Sequence, residues 1–214
     1  MKTKQGNPAL VGSGLASAVA GTATPAPDTR LNEALLKIKS PDDSERAAGC
    51  HDAAAFDALA VKPLAELMED SRTETALAAK RALWKMVRRA GRPGNDEGQK
   101  NVGGALVSAL GFGTVAGRRE ILWMLSEIGT DEAVPSVAAF LSSLELRDDA
   151  RGALQRIPGA RSLAALKSAL GTANAEFRPA IAVSLRARGE RITEYPSEKL
   201  APNKQTRIKP VTTG

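Results

Sequence analysis

The sequence predicts an all-α protein built as an α-solenoid, a row of about four to five helical hairpins. The composition, the spacing of apolar residues and an internal repeat support this prediction. Of the 214 residues, 43% are hydrophobic and only 3% are aromatic. Alanine and leucine dominate the apolar fraction, whereas strands favour β-branched and aromatic residues. We therefore expect close-packed helices around a substantial core.

The clearest helical period lies in residues 75–90. Apolar side chains recur there at intervals of three and four, which places them on one face of a helix. Gly91 and the turn at 92–94 end that helix. The same pattern predicts further helices along the chain. The predicted helices lie near 31–39, 42–56, 59–70, 73–90, 98–110, 115–128, 131–143, 146–156, 160–171 and 174–187.

Segments of the chain repeat one another. The dipeptide Leu-Trp at 83–84 recurs 39 residues later at 122–123, and both helices end at a glycine. The segment 128–141 aligns without a gap on 157–170, which begins 29 residues later. Degenerate helix pairs at such spacings indicate a solenoid, because each hairpin buries its apolar stripe only against its neighbours.

These units resemble bacterial HEAT repeats. The pattern R-x-A-L-x-R-I-P-G at 151–159 is similar to the short HEAT-like units of the phycobilin-lyase type. The resemblance extends over about residues 31–188 and implies an elongated, right-handed stack of helical hairpins. It further implies a concave face lined by the second helix of each pair, which usually serves protein recognition.

The chain ends differ in composition from this middle. We expect residues 1–28 to form a disordered leader or a weak signal peptide, residues 29–189 the HEAT-like solenoid, and residues 190–214 an extended basic tail. The segment Ala18-Val19-Ala20 is typical of a cleavage site, but Pro8 and Gly12 interrupt the apolar stretch before it. This favours a cytoplasmic protein over an exported one. No apolar run approaches the roughly 20 residues of a membrane-spanning helix.

The net charge of +6 is unevenly distributed. Residues 28–71 carry five basic and ten acidic side chains, whereas residues 72–94 carry seven basic and one acidic. The basic segment surrounds Trp84. If a nucleic acid bound there, Arg81, Lys85, Arg88 and Arg92 would contact phosphates while the indole stacked on a base.

The repeat favours a packing role for both tryptophans. In the alignment that superposes Trp84 on Trp123, Arg88 is replaced by Glu127, and the next unit places Arg156 at that position. Equivalent helices of a solenoid lie about 8–10 Å apart, so long side chains at equivalent positions can meet. We predict ion pairs of Glu127 with Arg88 and with Arg156.

By the same alignment Arg81 falls on Glu120, and we expect these two side chains to lie near each other. Lys85, Arg89 and Arg92 have no acidic counterpart in the repeat. They are either solvated or they contact an anionic partner.

Several kinds of chemistry are not supported. A single cysteine, Cys50, and a single histidine, His51, provide neither a disulfide nor a Cys/His metal cluster. As neighbours on a helix they point about 100° apart and make no nucleophile–base pair. The glycine-rich stretch 111–117 follows a helix and lacks the lysine of a phosphate-binding loop. We predict no catalytic residue, no cofactor and no metal.

The function that the sequence favours is a non-catalytic scaffold for protein–protein interaction, whose partner the sequence does not identify. One alternative is a nucleic-acid-binding module that uses the basic helix face of residues 80–92, through Lys85, Arg88, Arg89 and Arg92. A third hypothesis, implied by the resemblance, is a bilin-lyase-like or other HEAT-like enzyme. The candidates for protein binding, on the second-helix face, are Lys62, Glu66, Glu69, Lys100, Ser108, Ser136, Ser162 and Lys167.

Overall fold

A computed structural model describes residues 26–196, and within this range the protein is entirely helical, with ten α-helices and no β-strand. The prediction of an all-α protein is therefore confirmed. Nearly all of the predicted leader and most of the predicted C-terminal tail lie outside the described residues. Among the described helices, none is both long and apolar enough to cross a membrane.

The helices follow one another with short connections. Two short 3-10 segments, Ala54–Phe56 and Ala139–Ser142, extend the second and seventh α-helices. The α-helices are α1 (Pro27–Ile38), α2 (Asp43–Ala53), α3 (Ala58–Leu67), α4 (Thr73–Ala90), α5 (Asp96–Ala109), α6 (Val115–Ile128), α7 (Val134–Ala138), α8 (Arg147–Arg156), α9 (Ala160–Thr172) and α10 (Arg178–Ala187).

Helix boundaries agree with the predicted ones where a local stop signal is present. The helix predicted at 73–90 is α4, and it ends immediately before Gly91. The helices predicted at 42–56 and 131–143 are shorter than expected, because their last turns tighten into 3-10 geometry. After the first of these turns, Asp57 has a φ of 48°, which redirects the chain into α3.

Side chains define several helix starts. The Asp42 carboxylate accepts a hydrogen bond from the Glu45 backbone N–H at 2.9 Å at the start of α2. The Thr114 hydroxyl accepts one from the Gly117 N–H at 3.2 Å at the start of α6. These contacts satisfy backbone donors that a helix leaves unpaired in its first turn.

Contacts between the helices follow a regular order. The even-numbered helices form one set, in which α2 contacts α4, α4 contacts α6, α6 contacts α8, and α8 contacts α10. In the odd-numbered set, α1 contacts α3, α3 contacts α5, and α7 contacts α9. Helices of the two sets that follow each other in the chain also pack together, as α1 does with α2 and α5 does with α6.

A continuous apolar core lies between the two sets. Leu83 and Met86 of α4 and Leu122 and Leu125 of α6 are fully buried in it. These residues belong to the stripes that predicted the helices. Isolated amphipathic helices are marginal in water, so burial of these stripes provides most of the helical stability.

The two tryptophans occupy different environments. Trp84 is half-buried and packs at the edge of the core, which confirms its predicted packing role. Trp123 is 60% exposed, so the same prediction for Trp123 is wrong. Trp84 donates through Nε1 to the Glu120 carboxylate on α6. On α8 the counterpart of Glu120 is Asp149, which is one methylene shorter and accepts from Arg119 Nε at 2.9 Å.

Candidate interaction surface

Four cations form a row along one side of α4. Arg81, Lys85 and Arg88 are exposed on the helix itself, and Arg92 is exposed in the turn that follows it. The spacing of four and three residues keeps the first three on one helical face, and Arg92 follows four residues after Arg88. We call these four residues the cation row. Within residues 26–196, none of their side chains has a hydrogen-bond or ion-pair partner.

Glu120, the carboxylate predicted to lie near Arg81, is bound by other groups. Glu120 is paired with Lys80, with Nζ and Oε2 at 2.6 Å. Lys80 takes the place of Arg81 there, so the predicted proximity of Arg81 to Glu120 does not result in a pair. The two basic residues are adjacent in sequence, and neighbours on a helix point about 100° apart.

The predicted series of ion pairs forms only in part. Arg156 Nη2 lies 2.7 Å from Glu127 Oε1, which confirms that pair. The expected pair of Arg88 with Glu127 is absent from the described ion pairs, although both residues line the same groove. Arg88 therefore presents its guanidinium to solvent.

Arg89 was predicted as a contact for an anionic partner, but its side chain is engaged within the fold. Its Nη2 donates to the Ala54 carbonyl and to the Asp57 carboxylate. These acceptors lie in the tight turn after α2, so the two contacts of Arg89 connect α4 to that turn. A cation is also favourable there, because the carbonyl groups at a helix C-terminus carry partial negative charge.

A groove of about 360 Å³ lies beside the cation row, between the C-terminal halves of α4 and α6. Its walls combine apolar surface with one charge of each sign. It is lined by Trp84, Val87, Arg88, Gly91, Glu127 and Ile128. Trp123 lies on the side of α6 that carries Glu120 and Glu127, because positions three and four residues apart share a helix face. An exposed indole therefore lies on the helix that forms one wall of the groove.

At the other end of the cation row, Leu77 is 45% exposed. It lines a second groove, of about 490 Å³, between α2 and α4, together with Arg81 and Cys50. The Cys50 thiol donates to the Ala78 carbonyl at 3.0 Å. Burial raises the pKa of this thiol, while the positive charges of Arg81 and Lys85 act in the opposite direction.

The eight predicted protein-binding candidates lie on the odd-numbered helices or in the turn after α3. Lys62 and Glu66 on α3 are exposed. Glu69 is also exposed, but it accepts hydrogen bonds from the backbone N–H and the hydroxyl of Thr114 at 3.0 and 3.1 Å. Glu69 thus connects the turn after α3 to the start of α6.

The remaining candidates are largely engaged in internal contacts. Lys100 lies 3.7 Å from Glu132, and Lys167 lies 2.8 Å from Glu190. Ser108 donates to a carbonyl of its own helix, and Ser136 is half-buried. Ser162 was expected at the surface, and this is wrong because its side chain is fully buried.

The repeat comparison did not anticipate Arg188, which lies just after α10. Its Nη1 donates to the carbonyl groups of Leu154 and Ile157 at 3.0 and 2.8 Å, and its Nη2 donates to the Gly159 carbonyl at 2.9 Å. Nη1 also donates to the Ser162 hydroxyl at 3.0 Å. A basic residue near the end of an even-numbered helix is the only sequence signal for this contact.

No protein-family model matches the sequence. No curated protein matches it either. In the part of the chain that the structure describes, no three His, Cys, Asp or Glu side chains lie together as a metal-binding group.

Proposed function

We propose that the chain is a right-handed HEAT-like α-solenoid that acts as a non-catalytic scaffold by binding another protein. The contacts within the even-numbered set support the solenoid, since each of these helices packs against the next one in order. Such an array presents an extended surface that is well suited to recognition. An experimental structure with the even-numbered helices packed out of this order would contradict the proposal.

One observation supports the proposed binding of another protein. The exposed indole of Trp123 lies on the helix that packs beside the cation row, and neither feature is used by the fold itself. Tryptophan and arginine are enriched at the centres of protein interfaces. An unburied indole also costs solvation free energy that a partner removes by covering it.

A nucleic-acid-binding module is the second candidate, and the same surface supports it. Lys85, Arg88 and Arg92 project from one face without carboxylate partners, as phosphate contacts require, and Trp123 offers a ring for stacking. Arg89 no longer belongs to this set. Filter binding to single-stranded and duplex DNA at two salt concentrations measures this activity directly.

The proposed function is tested by affinity purification of cross-linked complexes from the source cells, with quantitative mass spectrometry. We expect one or a few proteins to be recovered with the wild-type chain and to be depleted with Trp123→Ala. Leu36→Ala is the matched control, because Leu36 is also a large exposed apolar side chain, 68% exposed on α1 of the odd-numbered helix set. Recovery of no protein above an empty-matrix control contradicts the scaffold proposal.

A further inference from the structure

We propose that the cation row, the groove beside it and Trp123 together bind an acidic segment of a partner protein. The segment carries carboxylates along one side and an apolar side chain beside them. This inference rests on the proposed protein-binding function and specifies the chemistry of the partner. It concerns the even-numbered helix set, whereas the eight residues that the sequence predicted for protein binding lie on the odd-numbered helices or in the turn after α3.

The charges of the described residues support an acidic partner. Glu120 is paired with Lys80, Glu127 with Arg156, and Asp57 is held by Arg89. These carboxylates are therefore bound by cations outside the row, and Glu74, in the groove beside Arg81, is one negative charge against the four positive charges of the row. Four like charges along one face repel one another, and carboxylates of a partner relieve that repulsion.

The length of the row fits a short peptide. Arg81 and Arg88 are seven residues apart on α4, which corresponds to about 10 Å along the helix axis. An extended chain rises about 3.3 Å per residue, so three or four partner residues cover that distance. Arg92 lengthens the row beyond the end of the helix.

Apolar contacts are available at both ends of the row. Leu77, 45% exposed, lies one turn before Arg81, and the groove with Trp84 and Val87 opens beside Arg88. Trp123 adds a large exposed apolar surface on α6. A segment with only carboxylates leaves these surfaces uncovered, whereas one that adds a leucine or an aromatic residue covers them.

The distribution of charge favours an acidic peptide over a nucleic acid. The four cations of the row lie together on α4 and its following turn. Glu74 lies near the start of the same helix, and Glu127 lines the groove on the other side. A phosphate backbone that continued past the row in either direction would meet these carboxylates, whereas a segment of a few residues fits between them.

The test is selection from a random 12-residue peptide library displayed on phage, with the full-length protein as target. We expect enriched peptides to combine Asp or Glu with Leu, Phe or Trp. Synthetic copies labelled with a dye then give Kd values by fluorescence anisotropy. Lys85→Glu/Arg88→Glu should weaken binding at least tenfold, and a rise in salt should weaken it as well, because exposed charges are screened.

Two further variants separate charge from apolar contact. Trp123→Ala should weaken binding several-fold without changing its salt dependence, because it removes apolar area alone. Arg161→Glu reverses an exposed charge on α9, in the odd-numbered helix set, and should leave Kd unchanged. Circular dichroism and Tm of each variant must match those of the wild type, so that loss of binding is not loss of folding.

The outcomes distinguish this inference from the proposed function. If the selected peptides lack acidic residues, or bind Lys85→Glu/Arg88→Glu as tightly as the wild type, the inference is wrong and the scaffold function still holds. If no peptide is enriched and no protein is recovered from cells, both are wrong. If single-stranded DNA of 20 nucleotides binds more tightly than every peptide, and the double substitution abolishes this, the surface recognises nucleic acid instead.

Discussion

Arg156 on α8 donates through Nη2 to Glu127 Oε1 on α6 at 2.7 Å. Alignment of the repeats predicted this pair because the two residues occupy equivalent positions in successive units. The corresponding pair one unit earlier, Arg88 with Glu127, does not form. Glu127 binds the guanidinium of Arg156, and Arg88 is left to solvent.

Glu127→Arg should lower the stability of the protein. The substitution places a guanidinium beside Arg156 and Arg88 and replaces attraction with repulsion. Both partners of the native pair are about half exposed, with side-chain exposures of 56% and 46% for Arg156 and Glu127. The pair therefore contributes at most about 1 kcal/mol, which corresponds to a decrease in Tm of roughly 2–4 °C. Thermal unfolding at low and high salt measures the effect.

The double variant Glu127→Arg/Arg156→Glu is the control for this prediction. It restores opposite charges at the two positions and should recover part of the lost Tm. A Tm for Glu127→Arg equal to that of the wild type at low salt would show that the contact has no energetic role.

The helices were predictable from the sequence wherever an apolar stripe is followed directly by a residue that ends helices. Residues 73–90 are one example, since the buried side chains recur on one face and Gly91 follows them. The turn at 54–57 was not predictable, because the last residues of a helix and of a 3-10 turn have the same pattern at that length.

The candidate surface was predicted less well. Lys85, Arg88 and Arg92 were identified from charge and spacing. Arg89 belongs to the same basic segment, and only the fold shows that it binds the Ala54 carbonyl. Both tryptophans were predicted to pack because the alignment superposes them while the charge beside them changes sign, yet Trp84 packs at the edge of the core and Trp123 is exposed. Repeat alignment therefore predicts position on a helix better than it predicts contact.

Arg188→Ala should cost about 2–3 kcal/mol in the free energy of unfolding, as expected for the loss of hydrogen bonds to a charged group. The guanidinium joins the end of α10 to the turn between α8 and α9, and its removal leaves the carbonyl groups of Leu154, Ile157 and Gly159 without this donor. Urea unfolding at neutral pH measures the change.

Two variants serve as controls for Arg188. Arg191→Ala removes an exposed arginine three residues later, which has no described side-chain partner, and should change stability by less than about 0.5 kcal/mol. Arg188→Lys keeps the charge but cannot reach all of these acceptors, so it should lie between wild type and alanine. Equal stability of Arg188→Ala and Arg191→Ala would contradict a bracing role for Arg188.

Substitution of Gly49 and of Gly104 by alanine should change the stability of the protein in opposite directions. A Cβ on Gly49 would lie 2.7 Å from the Ile38 backbone nitrogen and 2.8 Å from the Ala34 carbonyl oxygen, so α1 and α2 would have to separate. Gly49→Ala should therefore destabilise the protein by about 1–3 kcal/mol. Gly104 is exposed within α5 with open space around it. Gly104→Ala should stabilise by about 0.4–1 kcal/mol, because alanine restricts the unfolded chain.

Thermal and urea unfolding of both variants check these values. The comparison is matched, because each variant adds one methyl group to an α-helix and differs from the other only in its surroundings. Destabilisation by Gly104→Ala as large as that by Gly49→Ala would show that the close crossing of α1 and α2 is not the cause.

The Cys50 thiol should make the stability of the protein decline at alkaline pH. Burial raises the pKa of this group in the folded state, so between the unfolded value, about 8.5, and the raised folded value the unfolded chain has the greater tendency to lose the proton. The folded state then binds more protons than the unfolded state, and linkage requires the free energy of unfolding to fall as pH rises. Cys50→Ala should remove this part of the decline in urea titrations.

The rate at which the Cys50 thiol is alkylated also tests the electrostatic effect of the cation row. Arg81 and Lys85 favour the thiolate, so Arg81→Gln/Lys85→Gln should raise the pKa of Cys50 further and slow its alkylation by iodoacetamide at mildly alkaline pH. Lys62→Gln, on the opposite helix set, should leave the rate unchanged, and the urea-unfolded chain should react faster than every folded variant. An alkylation rate of Arg81→Gln/Lys85→Gln equal to that of the wild type, with an unchanged Tm, would show that these cations do not act on the thiol.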